Sequence, residues 1–223
     1  MTKHHLSKLI IARLVSAVGA LFFMASCIGV KLNITAGKNG GGDMELEYRL
    51  KKELVELASF GDDDDEPPVP LTRQDFENSI AGINGISLKS YTHKKDDFDY
   101  SYKVKMNFAS FDALAAFLSK TTDGSASYTQ RGGKNEFTYF FWSGAGGGNG
   151  TAEMFRGAFD GYGFDFSIRL PSSCEAYYVN ANGEKLAAPP SGAAELKGTT
   201  FVISAGMADL LLAGSPAAFV LTW

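Results

Sequence analysis

The sequence predicts an α+β fold, an antiparallel sheet built from hairpins with helices packed on one face. Stretches alternating apolar and polar residues recur in pairs around glycine-rich turns, and single segments with the 3.6-residue period of a helix separate the pairs. Hydrophobic residues make up 45% of the 223 positions, enough for one sizeable core or two small subdomains.

The first hairpin pairs Val30, Leu32 and Ile34, alternating with Lys31, Asn33 and Thr35, with Met44, Leu46, Tyr48 and Leu50, alternating with Glu45, Glu47 and Arg49. The glycine-rich turn at 37–42 supplies the positive φ values of a reversal. Residues 51–60 read as a short helix, followed by an acidic loop at 61–70 that holds Asp62 to Glu66 and three prolines. That loop is expected to be solvated and mobile, because it lacks the spaced ligands and internal glycine of a calcium loop. Thr72 and Asp75 have capping-box spacing for a helix over about 73–81, with Phe76 and Ile80 on one side. A strand follows, with Ile86, Leu88 and Ser90 against Ser87 and Lys89. The next is the most regular in the chain, 98–108, with Phe98, Tyr100, Tyr102, Val104, Met106 and Phe108 on one face. Ser110 caps a helix with Phe111, Leu114, Ala115 and Leu118 at helical spacing.

A second hairpin spans about 126–142 around Arg131 to Lys134, and a third helix, about 152–160, places Phe155 and Phe159 four residues apart. Phe164, Phe166, Ile168 and Leu170 then alternate with Asp165, Ser167 and Arg169. Strands near 175–179, 199–204 and 217–222 and a short apolar segment, Met207 to Leu212, complete the chain. The hairpin and helix rhythm reads as two loosely similar halves.

The first residues have another role. Lys3, Lys8 and Arg13 come with no acid, and Leu14 to Met24 is apolar apart from Ser16, the order of a secretory signal. Eleven helical residues cover about 16 Å of a roughly 30 Å hydrocarbon core, too little to span it well. Small residues Ala25 and Ser26 stand before Cys27, an arrangement that resembles the lipobox of bacterial lipoproteins, with Met24 where leucine is usual. The resemblance implies a signal peptide over 1–26 and a domain over 27–223 whose Cys27 carries diacylglycerol and a further acyl chain such as palmitate. Ordinary cleavage nearby and an uncleaved anchor are the other readings. Two or three acyl chains hold a protein firmly, at about 0.8 kcal/mol per buried CH₂. The remaining cysteine, Cys174, reads as a small core residue, since a catalytic thiol needs a nearby base.

Removing 26 residues leaves 18 of the 21 Lys and Arg against all 25 acids, a formal charge of −7. That balance repels nucleic acid, which is excluded as a partner, and it repels anionic headgroups, leaving membrane attachment to the acyl chains.

No catalytic, cofactor or metal site emerges. Gly144 to Gly150 fails the spacing of both dinucleotide and P-loop fingerprints. His93 would be the only histidine of the exported chain, and it has no zinc or triad partner in sequence. The aromatics of Phe137 to Trp142 say more. Phe137, Tyr139 and Phe141 share one face, so Phe140 and Trp142 stand on the other. They are covered by packing or form a ligand or partner surface.

Past Cys27 the chain resembles a family of bacterial envelope lipoproteins related to mycobacterial LppM. The likeness rests on Cys27 to Ile34 with the following turn and Met44 to Leu50, Leu170-Pro171, Asn182-Gly183, Met207 to Leu212, and Ala218 to Trp223. It implies a membrane-anchored domain of the cell envelope with a β-hairpin directly after the lipid cysteine, and it supplies no catalytic set. The expected function is a non-enzymatic module that binds an envelope protein, a glycan or an apolar ligand. An envelope hydrolase and a purely structural lipoprotein are the alternatives.

Overall fold

The structure is a computed structural model that describes residues 28–52, 70–121, 125–142, 161–180, 182–189, 192–213 and 217–223. It is an α+β fold, largely antiparallel and built from hairpins, with a minority of helices. The strands divide between two sheets, which alternation alone does not predict.

The first hairpin forms as expected. Strand β1 (Ile28–Ala36) pairs with β2 (Gly42–Lys51) from Ile28 opposite Leu50 to Ala36 opposite Gly42. Helix α1 (Arg73–Ile80) follows, then β3 (Ile86–Lys95) and β4 (Asp99–Phe108), with β4 on the far side of β2. Helix α2 (Phe111–Thr121) leads to the hairpin β5 (Ser125–Arg131) and β6 (Lys134–Trp142). Gly132 and Gly133 both have positive φ in its two-residue turn, the geometry that matches strand twist. Then come β7 (Gly163–Arg169), β8 (Glu175–Val179), β9 (Lys185–Leu186), β10 (Ala193–Lys197), β11 (Thr200–Gly206), α3 (Met207–Leu212) and β12 (Ala217–Thr222).

Seven strands make one sheet in the order β10-β11-β7-β1-β2-β4-β3, and five make the other, β5-β6-β12-β8-β9. The pair β1 and β7 is parallel, Val30 beside Phe164 and Thr35 beside Arg169, so a late strand completes the flank of the first. Buried aromatics join the sheets: Phe219 lies 5.0 Å from Phe166 and 4.8 Å from Phe201, and Tyr139 lies 5.6 Å from Phe166, measured between ring centroids. Both longer helices contribute to the same core, α1 through Phe76 and Ile80, α2 through Phe111, Leu114, Phe117 and Leu118.

Capping at α1 is as the spacing predicts. The Asp75 amide donates to Thr72 Oγ1 at 3.2 Å and the Thr72 amide donates to Asp75 Oδ2 at 2.8 Å. Ser110 likewise accepts from the Ala113 amide, 3.2 Å away.

Two expectations change, and one strand is unexpected. A bulge at Lys89 shifts the register of β3, so Tyr91 instead of Ser90 turns inward, and its hydroxyl donates to the Leu71 carbonyl at 2.6 Å. Phe98 is not the first inward residue of β4. The Asp96 carboxylate accepts from the amides of Phe98 and Asp99, 2.8 and 2.7 Å, which folds a tight turn and leaves Phe98 76% exposed. Strand β10, an edge strand opening on two alanines of low strand propensity, carries no signal in the sequence. The helices expected at 51–60 and 152–160 fall almost wholly outside the described residues, as do the acidic stretch 62–66 and the glycine run 144–150.

Candidate functional site

The outer face of the seven-stranded sheet is polar, because every strand that buries one face presents the other to solvent. Across β2 and β4 it is laced by ion pairs: Lys103 with Glu45 and Glu47 at 2.7 and 2.6 Å, and Lys105 with Glu45 at 3.3 Å. Hydrogen bonding to Lys103 holds the Glu45 carboxyl below the ordinary carboxylate range.

Toward the Ile28 end the surface sinks. Gly29 stands opposite Arg49 on β2, Gly163 precedes Phe164 beside β1, and Gly206 faces Gly163 on β11. Three adjacent strands therefore contribute no side chain at one level of the outer face. None of the three has a positive φ, so it is their size that matters. A Cβ built at Gly29 would meet Tyr162 Cδ1 at 3.4 Å and Arg49 Nε at 3.6 Å, ordinary contact distances.

The result is an open groove of about 500 Å³, within the range of small-ligand sites. The next row of the sheet runs Ser204, Asp165, Lys31 and Glu47 along it, and the Ser204 hydroxyl donates to Asp165 Oδ1 at 2.6 Å. Arg49 and the ring of Tyr162 form the opposite border. Arg49 Nη2 donates to the Gly161 carbonyl at 3.1 Å, and its guanidinium lies 5.5 Å from the Tyr162 ring centroid. Lys51 Nζ lies 5.4 Å from the same ring, whose hydroxyl donates to Asp99 Oδ1 at 2.6 Å. The Tyr162 ring is thus held by two cations and a carboxylate.

Two cations and two carboxylates balance the groove, so it offers donors and acceptors without a strong net field. An aromatic wall beside such a set suits a ligand with both hydroxyls and an apolar face.

The residues singled out in sequence lie elsewhere. Phe137 and Tyr139 are buried, and Phe141 stacks on Phe164 at 5.5 Å, as alternation requires. Phe140 is on the opposite face of the five-stranded sheet, half-buried against Val179, Ala218 and Val220 with Tyr177 beside it. Trp142 closes β6 opposite Ala217, and its side chain is outside the described set. Cys27 is also outside it, directly before Ile28. His93 is exposed on β3. Cys174 is half-buried against the core, and burial pushes its thiol pKa up. Among the described residues, no three His, Cys, Asp or Glu are grouped as metal ligands.

Lys31, Arg49, Tyr162, Asp165 and the three glycines carry no sequence motif. Only the strand pairing brings them together, above all the parallel pairing of β1 with β7.

Among known proteins, the chain matches no family model and no curated sequence. It is similar in structure to the folded domain of LppM from Mycobacterium tuberculosis, determined by NMR. The two are 11% identical, the match covers 90% of this chain and 91% of that one, and the TM-score is 0.46, a weak and partial likeness.

Proposed function

We propose that the protein is held at a bacterial envelope membrane by acyl chains on Cys27 and binds a neutral, hydroxyl-rich ligand of the glycan class in the groove, without transforming it. One observation carries the binding half of this reading: the laterally registered glycines Gly29, Gly163 and Gly206, which leave room on a sheet face that is elsewhere filled by ion-paired side chains. The charge balance of Lys31 and Arg49 against Glu47 and Asp165 favours a neutral ligand over a polyanion, and the Tyr162 ring gives the apolar face of a sugar a surface to stack on.

The anchoring half is supported by the order of residues 1–27, basic, then apolar, then small residues before cysteine. Strand β1 starts at Ile28, so a domain attached at Cys27 would have its groove beside the attachment point.

The test is the intact mass of protein gently extracted from its native membrane. A denatured mass that begins at Cys27 and carries diacylglyceryl and acyl additions supports the anchor, and a mass that begins elsewhere without lipid defeats it. For the groove, titration of the same preparation with envelope oligosaccharides, followed by tryptophan and tyrosine fluorescence, should give saturable binding that Tyr162→Ala abolishes. Identical curves for both proteins would defeat the site.

A further inference from the structure

Phe98 is the one large apolar side chain of the described residues that is mostly in solvent, and the fold puts it at a particular place. The turn between β3 and β4 lies at the end of the seven-stranded sheet where β1 begins: Ile28 pairs with Leu50, Lys51 pairs with Asp99, and the Lys52 amide donates to the Phe98 carbonyl at 2.8 Å. Two strand spacings, about 10 Å, separate the start of β1 from that turn. Among the described residues the same end carries Arg49, Lys51, Lys52, Lys94 and Lys95, against Asp96, Asp97 and Asp99. Two of these acids are engaged within the fold, Asp96 as acceptor for its own turn and Asp99 as acceptor for Tyr162. Lys95 Nζ lies 4.9 Å from the ring centroid of Tyr100, and Lys51 Nζ lies 5.4 Å from that of Tyr162, so tyrosine rings and cations share this end of the sheet.

We infer that this end is a membrane-docking edge, with Phe98 inserted among the headgroups of an anionic bilayer and the exposed Lys94 and Lys95 beside it facing the lipid phosphates. An aromatic tip with flanking lysines and tyrosines is the composition that partitions to a bilayer interface. Among the described residues the edge is locally cationic, in a chain whose formal charge from Cys27 onward is −7, which is the complement of an anionic leaflet and the opposite of the average surface. The inference rests on the proposed anchor for its orientation: a chain tethered at Cys27, directly before Ile28, would hold this edge toward the membrane.

The experiment places a fluorophore at the tip. The full chain carrying Phe98→Trp is reconstituted in vesicles of phosphatidylethanolamine and phosphatidylglycerol with brominated acyl chains, beside the wild type, whose Trp142 and Trp223 give the background, and the intact mass of each sample is recorded. Docking predicts a blue-shifted, bromine-quenched emission from the introduced indole, lost when Lys94→Gln and Lys95→Gln are added. A lipidated chain whose introduced indole emits as in water overturns the docking edge and leaves the anchor standing. An unlipidated chain that is still quenched supports the edge and overturns the anchor, and one that is neither lipidated nor quenched overturns both.

Discussion

Gly29 shows how much can rest on an absent side chain. A methyl group would fit there at 3.4 Å from Tyr162, so alanine is tolerated, and a branched side chain would occupy the space beside Tyr162 and Arg49. Gly29→Val is expected to keep the fold, with a stability change within about 1 kcal/mol because valine suits a strand, and to weaken ligand binding about tenfold or more, or 1.4 kcal/mol. Thermal melts and the binding titration separate the two effects. Phe166 is the opposite case. It is fully buried between the sheets and touches Tyr139 and Phe219, so Phe166→Ala should cost about 3 to 5 kcal/mol in a denaturant titration. The core role of Phe166 was legible from alternation. The role of Gly29 was not, because a lone glycine in a strand has no partner until register is known.

Helix α1 is the element whose local signals were most fully legible: Thr72 and Asp75 predicted its start, and both reciprocal hydrogen bonds form. Thr72→Ala is expected to cost about 1 kcal/mol. Burial acts to raise the Asp75 carboxyl, but hydrogen bonds from Thr72 and Leu71 outweigh it and hold the pKa below the ordinary value. A carboxyl depressed in the folded state contributes stability above its unfolded pKa, near 4, and loses that contribution as pH falls through the folded value. Glu45, depressed by Lys103, acts with the same sign. Melting temperature should therefore fall as pH drops below about 4, with a shallower slope in Thr72→Ala. Strand β3 was only half legible, since the bulge at Lys89 reverses its faces, and bulges depend on the partner strand. The turn at Phe98 misleads for a related reason: its aromatic fits the period of β4, but the Asp96 carboxylate reverses the chain before pairing begins.

At the scale of the molecule, hairpins and helices follow from the sequence, whereas their division into two sheets follows from β7 docking beside β1, a long-range choice that spacing does not encode. The same topology sets Cys174 apart from Ile28, the residue that follows Cys27. Glu175 pairs with Thr222, Trp223 packs on Phe111 and Phe111 on Phe108, which places the residue before Glu175 at the end of the sheet away from Ile28. No Cys27 to Cys174 disulfide is expected, and intact mass with and without reductant should be identical. The domain is proposed to stand on the membrane at its Ile28 end, with the groove on the flank of that end. The most direct test is native mass spectrometry of membrane-extracted protein, wild type beside Gly29→Val. A noncovalent ligand mass carried by the wild type and absent from the variant, both beginning at an acylated Cys27, is the result predicted. The same ligand mass on both proteins would contradict the groove as the binding site.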